Sequence, residues 1–590
     1  MNSHNIIKLS SLVTLLFALV GCQLSLEQEQ FEQCESNDLI QCQADQTGNV
    51  ESPDTLGVHK TTHLTSALLE AIGSASDENA DTHCLRAAVV EYSRIDLPND
   101  CRISAQKNLE VFDKIARVAH ENHVQMLVFP EDGLYIDTRD VMSGCLEEIP
   151  DPDSLNEDNS NPCFSQSQSI FKDTPILTQL SCIAKRYGLY LIANFGTKEK
   201  CNNRTVTTES GGQNKTICSD DENDFLMLNT NVVLDPEGRF IKRYRKWNPF
   251  TETEVFNKAP KLEHTYFDTK FGRFGIFTCF DMIYKEPAID LVEEYKIDTA
   301  IFPTWWFDER PILTGIQYQD GWSSTNKVNL LASNILKPNL GSTGSSIFST
   351  NNSLYVSQNN ILRQGAEHKT KLLIANIQTR PRDDTGACGS GFKPKIIDID
   401  DNPTGDNYKS GHYRLVDSDS LVQLDKLQDE KTLCSGGFCC TIDYKLANDT
   451  PLDQINRLIF IVRNGPRPGR FQWFEQVCAL ATLDEPVTDT RLLTEHVKYD
   501  SDNGFEFTSL SIDAKFETKY VYPSTAHDGV TLIERKNRNL VCDEIKPNET
   551  KAFQCKLKYV QADGDEVKRP ARIYSFSMYG RVYEKDKKFN

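Results

Sequence analysis

The sequence predicts a layered α/β domain followed by a second, strand-rich domain. Three observations predict it. Apolar strand-like runs alternate with amphipathic helix-like stretches through the first half of the chain. After about Gly365 the character changes to loops, scattered cysteines and short strand candidates. The 590 residues also exceed what one hydrophobic core ordinarily organises.

The chain opens with MNSHNIIK, an apolar stretch over residues 9–20 and then Gly21-Cys22. This reads as a signal peptide, too short to span a bilayer comfortably, so residues 1–22 are expected to be removed. A bacterial-type lipid attachment at Cys22 is the alternative. The sequons at Asn203, Asn214, Asn351, Asn448 and Asn548 argue against it, with Pro451 close to the fourth. Residues 23–81 are polar and acidic, with Phe31 as their only aromatic residue, and carry a helix candidate over 63–72.

The expected catalytic domain covers 82–365. AAVVEY is its first strand candidate. Ile103, Leu109, Phe112, Ile115, Ala116 and Ala119 then recur at helical spacing, and VQMLVFP is a buried strand ending at Glu131. A helix over 176–187 precedes the strand LYLIANF. The polar segment from Cys201 to Cys218 is expected to be an exposed loop. FLMLNTNVVLD and RFIKRYRK flank Pro236-Glu237-Gly238, a turn signal that predicts a hairpin delivering Lys246. FGRFGIFT reads as a buried strand leading to Cys279, and Pro287 is placed to start a helix through Tyr295. TAIFPTW and KVNLLASNI continue the pattern. The second domain, 366–590, contains strand candidates such as RLIFIVRN and GFEFTSLSI.

Composition narrows the function. The 64 Lys+Arg against 85 Asp+Glu give a net charge of -21, which opposes broad affinity for nucleic acid or an anionic membrane and favours a small-molecule substrate. The polar end RVYEKDKKFN offers neither a membrane span nor a GPI tail. Eighteen cysteines suit an oxidising compartment, and setting aside Cys22 and Cys279 leaves an even sixteen whose pairing the sequence does not specify.

Glu131, Lys246 and Cys279 each follow an apolar strand candidate, where parallel α/β sheets present catalytic groups. Singly, each has an ordinary reading: a solvated strand end, a basic run, a packed or disulfide-bonded cysteine. His120-Glu121-Asn122-His123 lacks the spacing of a zinc helix. Gly341-Ser-Thr-Gly-Ser-Ser346 is not a serine-hydrolase elbow, and there is neither a P-loop nor a dinucleotide fingerprint. No metal or cofactor is expected.

Together, VFPEDG, YRKWN and GIFTCFD resemble the Glu-Lys-Cys triad of the nitrilase superfamily. With FPTWWF, VNLLASNI, Gly344-Ser-Ser and the downstream Cys434 and Phe-Cys439-Cys440, the resemblance is to its pantetheinase (vanin) and biotinidase branch, over residues 82 to about 560. It implies an α-β-β-α sandwich with a smaller C-terminal domain, and hydrolysis of a carbon-nitrogen bond in a linear amide. A supporting carboxylate near the lysine is typical of the superfamily, and Glu254 is the candidate by position.

The chemistry agrees. A thiol near its usual pKa is a few per cent thiolate at neutral pH, so Cys279 needs a base, which Glu131 can supply. Lys246 and the backbone N–H of Phe280 are placed to stabilise the oxyanion. Trp305 and Trp306 are candidate pocket walls or, equally, core. The expectation is a secreted cysteine-dependent amidohydrolase acting through a thioester, with a pantetheine-like substrate (giving pantothenate plus cysteamine) favoured. Biotinyl-amide hydrolysis is the runner-up, and a catalytically silent secreted binding protein is the alternative of another class. Oligomeric state stays open.

Overall fold

The computed structural model describes residues 84–590 except 165–167, 202–206, 211–212, 217–223, 251–253, 350–352, 357–367, 382–387, 389–392, 405–408, 410, 414–418, 469–472, 485–503, 528–530, 546–551, 561–571 and 587–590. The expected signal peptide, the acidic segment with its helix over 63–72, and sequons Asn203, Asn351 and Asn548 lie outside the described residues. Asn214 falls in the short strand Gln213–Thr216, and Asn448 is exposed in a turn.

Two sheets face each other. The first has seven strands in the order Lys395–Thr404, His368–Gln378, Cys84–Glu91, Met126–Val128, Tyr190–Lys200, Phe225–Leu234, Phe240–Arg245. The second has six: Ser353–Tyr355, Ser346–Phe348, Asn329–Asn334, Thr299–Thr304, Gly272–Ile276, Tyr266–Thr269. Each has a three-stranded parallel centre flanked by antiparallel strands.

The period-2 geometry of a strand assigns the faces. Along Cys84–Glu91, Leu85, Ala87 and Val89 point inward to meet Ile276, Ile301 and Leu331 of the facing sheet. Ala88 and Val90 point outward, to Leu109, Phe112 and Ile115 of the helix Cys101–Glu121 and to the helix Pro175–Tyr187. Asp100 caps the first helix by accepting from the Ile103 N–H, and Gly188 (φ 63°) ends the second in the left-handed conformation. The helix Gly315–Asn326 covers the second sheet from outside, with the Trp322 and Phe277 rings 5.3 Å apart. This is the α-β-β-α sandwich.

The C-terminal region is strand-rich, as expected, with an eleven-stranded sheet around Leu458, Phe460, Val462, Leu480, Ile512 and Phe576. Disulfides Cys434–Cys439, Cys440–Cys478 and Cys542–Cys555 lie within it, and Cys84–Cys388, Cys101–Cys145 and Cys163–Cys182 lie in the sandwich. Residues 81–590 form one compact unit. Trp473, Val477, Tyr522 and Tyr574 share the apolar cluster between the sheets, and Arg581 Nε donates to the Ile283 carbonyl at 3.0 Å.

Two expectations need correction. The strands His368–Gln378 and Lys395–Thr404 belong to the first sheet, so the sandwich continues past the change of character at Gly365. The helix near Pro287 is a π turn over Lys285–Ile289 followed by Asp290–Glu293, and it stops short of Tyr295 because Lys296 adopts φ 57° to enter the next strand.

Candidate active site

Glu131 follows the Met126–Val128 strand, Lys246 directly follows Phe240–Arg245, and Cys279 lies just beyond Gly272–Ile276 at the start of a short 3-10 helix, Cys279–Ile283. The expected hairpin, paired from Thr230–Arg245 to Leu234–Phe240, carries Lys246 to the site. Cys279 has φ 45°, a left-handed conformation that is uncommon for a residue with a Cβ and is typical of functional turns. The turn is held by a capping box between Thr278 and Asp281.

Lys246 Nζ donates to Glu131 Oε1 at 2.7 Å, with both side chains at most 3% exposed. The other Glu131 contacts complete its orientation: Asn229 Nδ2 donates to Oε1 and the Trp305 backbone N–H to Oε2, each at 2.8 Å. Asn194 Nδ2 donates to Asn229 and Asn231, each at 2.7 Å, and Asn231 donates to Thr278 Oγ1 at 2.8 Å. An unbroken chain of buried amides therefore runs from Glu131 to the residue before Cys279. Such a network fixes geometry because each unpaired buried member would cost roughly 1–3 kcal/mol.

Asp281 binds the lysine strand to the cysteine turn. It is fully buried. It accepts from Tyr244 Oη at 2.7 Å, from Asn248 N and Nδ2 at 2.8 and 2.9 Å, and from Thr278 N at 3.0 Å. Burial pushes its pKa up to about 6, against the opposing pull of the Tyr244 hydroxyl, the Lys246 charge and the two backbone donors.

Cys279 lines a cavity of about 70 Å³ together with Phe250, Phe280, Ile283, Trp305, Trp306, Phe307, Glu309, Leu313 and Trp473. Trp305 and Trp306 thus both face it. Trp306 is anchored by its backbone N–H to Asn334 Oδ1 (3.0 Å) and its indole to the Leu313 carbonyl (3.2 Å). Trp473 comes from the C-terminal region. Among the described residues Cys279 is the cysteine that forms no disulfide, whereas thirteen others are disulfide-bonded. The arrangement can hold an apolar acyl group beside a thiol, with a carboxylate and an ammonium in one buried pair.

Glu254 is exposed, which does not fit a carboxylate supporting the buried Lys246. Sequence reading missed Asp281, Asn194, Asn229, Asn231, Glu309 and Trp473. Asp281 had a signal, since an acidic residue two positions after a buried cysteine strand demands a partner. No group of His, Cys, Asp and Glu among the described residues is arranged to hold a metal ion. Neither does any helix there have the length and apolarity to cross a membrane.

The carbon-nitrogen hydrolase family model matches residues 86–305, and the vanin C-terminal domain model matches 410–586. Over 518 residues the chain is 30% identical to a pantetheinase of Mus musculus, covering 85% of this chain and 89% of that one. A pantetheinase of Homo sapiens is 29% identical over 514 residues (85% and 89%). A biotinidase of Mus musculus is 28% identical over 507 residues (79% and 90%).

Proposed function

Since this chain belongs to the pantetheinase and biotinidase branch of the carbon-nitrogen hydrolase family and is a hydrolase of linear amides, we propose that Cys279 is its nucleophile, working through a thioester with Glu131 as proton carrier. The observation that carries this reading is the buried Glu131–Lys246 pair, tied through Asn229, Asn194 and Asn231 to the turn bearing Cys279.

Glu131 takes the thiol proton as the sulfur attacks the amide carbonyl carbon. Negative charge then builds on the carbonyl oxygen, where the Lys246 ammonium and the Phe280 N–H stabilise it. Collapse breaks the carbon-nitrogen bond, and the proton held by Glu131 passes to the leaving amine. Water, deprotonated by Glu131, attacks the thioester and releases the acid, returning the proton to sulfur.

The favoured substrate is pantetheine-like, with pantothenate and cysteamine as products, in line with the pantetheinase relatives. Biotinyl-amide hydrolysis is the competing assignment, in line with the biotinidase relatives. The protein acts as a secreted glycoprotein, a reading supported by the apolar residues 9–20, the sequons and the disulfides. A mass-spectrometric screen of purified protein against pantothenoyl, biotinyl and unrelated amides tests the assignment. Preferential release of pantothenate supports it, and turnover confined to biotinyl amides replaces it.

A further inference from the structure

The cavity beside Cys279 is walled by aromatic and aliphatic side chains, with Glu309 as the charged residue among the described residues of its lining. The Glu309 side chain retains 38% exposure, and its Oε2 accepts from the guanidinium of Arg467 in the C-terminal region.

That arginine is not free to swing away. It is 5% exposed, lies 3.6 Å from Glu475 Oε1, and sits over the rings of Tyr413 and Trp473 at 4.4 and 5.4 Å. Burial works against its charge, yet Glu309 and Glu475 outweigh burial and hold its pKa above the ordinary arginine value. Glu475, fully buried, also binds Arg463 (2.7 Å), the hydroxyls of Tyr413 and Tyr579 (2.8 and 2.6 Å) and the Trp473 indole (3.0 Å). The network that seats Arg467 on Glu309 is the same one that seats Trp473 in the pocket wall.

The Glu309 backbone is equally constrained. Its N–H donates to the Leu313 carbonyl at 3.2 Å, its carbonyl accepts from Leu313 N–H at 2.9 Å, and it pairs with Gly411 in a two-stranded parallel ribbon. Arg467 engages only Oε2. Among the described residues no protein group donates to Oε1, leaving a fixed acceptor on an otherwise apolar wall.

We infer that Glu309, braced by Arg467, is a specificity-determining residue. Its second carboxylate oxygen accepts a hydrogen bond from a hydroxyl or N–H on the acyl part of the amide, and its charge turns away acyl groups bearing a carboxylate. The inference rests on Cys279 being the nucleophile, since that seats the scissile carbonyl in this pocket. An apolar wall alone discriminates poorly between a group and its hydroxylated isostere. A site built to bond the hydroxyl rejects the analogue lacking it.

The test uses full-length protein and three amides sharing one leaving amine and one acyl chain length: a hydroxylated chain, its deoxy counterpart and a chain ending in carboxylate. kcat/KM is measured for wild type, Glu309→Gln and Glu309→Ala, with the thermal midpoint of each recorded. Wild type is expected to favour the hydroxylated amide over the deoxy one by about tenfold or more, as hydrogen bonds to a charged acceptor do, and to disfavour the carboxylate. In Glu309→Ala both ratios move toward 1. Glu309→Gln keeps an acceptor and part of the hydroxyl preference while losing the rejection of carboxylate, a split that a merely structural defect would not produce. A wild-type hydroxyl-to-deoxy ratio near 1, or ratios unchanged in both variants while the deoxy amide is still hydrolysed, overturns the inference and leaves the nucleophile standing. Wild-type protein that turns over none of the three amides overturns both.

Discussion

Replacing Asp281 with Asn changes one oxygen to NH2 and tests the junction between the lysine strand and the cysteine turn. Oδ1 takes two donors from Asn248 and Oδ2 takes Tyr244 Oη and Thr278 N, so either amide orientation leaves at least one backbone donor facing another donor. At roughly 1–3 kcal/mol for each stranded group, the loss relative to the carboxylate is about 1–6 kcal/mol. Opposing it is the removal of a buried charge. The carboxyl pKa is raised from 3.8 to about 6, roughly two units, or about 3 kcal/mol. For an acid with a raised folded-state pKa, the folded protein binds more protons than the unfolded chain between those values, so this group's contribution to stability is present below pH 4 and lost as pH rises through 6. Asn does not titrate. Wild type should therefore lose about 3 kcal/mol of stability relative to Asp281→Asn between pH 4 and pH 7. Urea unfolding of both proteins with disulfides intact, at four pH values across that range, measures the gap. A gap that is constant or widens with rising pH would refute the reasoning.

Further outcomes follow from the same geometry. Alkylation without prior reduction should label Cys279 in preference to the disulfide-bonded cysteines, read by peptide mapping; a stable disulfide at Cys279 in active protein contradicts its role. Glu131→Gln and Lys246→Ala should each lower amide turnover about 100- to 10,000-fold in steady-state kinetics. Because the pair is buried, Lys246→Ala should also lower unfolding free energy by about 3–5 kcal/mol in urea titrations, and an unchanged value would mean that the carboxylate is solvated. Trp473→Phe keeps an aromatic wall but removes the indole donor to Glu475 and Tyr579, so a stability loss of about 1–3 kcal/mol is expected in the same titration.

What the sequence disclosed was what local pattern encodes. Glu131, Lys246 and Cys279 stood out because each follows a short apolar run, and strand ends are where α/β sheets usually present catalytic groups. The helix Gly315–Asn326 escaped notice because residues 315–323 are all buried, between the second sheet and the strand Val521–His527, so no polar face gives it an amphipathic period. Asn194, Asn229 and Asn231 looked like ordinary polar strand positions, and their role exists only because Asn194 pairs opposite Asn231 across two strands. Glu309 and Trp473 meet in one pocket wall although far apart in the chain, a consequence of tertiary packing that periodicity does not carry. The strands His368–Gln378 and Lys395–Thr404 were misassigned for a related reason. Turn-rich composition marked a change of domain, whereas their partner is the first strand of the sandwich.

The central claim is that the acyl group passes through a bond to Cys279 sulfur. Rapid acid quenching of protein turning over its best amide, followed by peptide mass mapping, addresses it most directly. Glu131→Gln is included to slow the release of acyl enzyme. The account predicts a mass increment equal to the acyl group on the peptide containing Cys279, removed by hydroxylamine and absent from Cys279→Ala, which should be inactive while folded. An acyl adduct on another residue, or undiminished hydrolysis by well-folded Cys279→Ala, would contradict it.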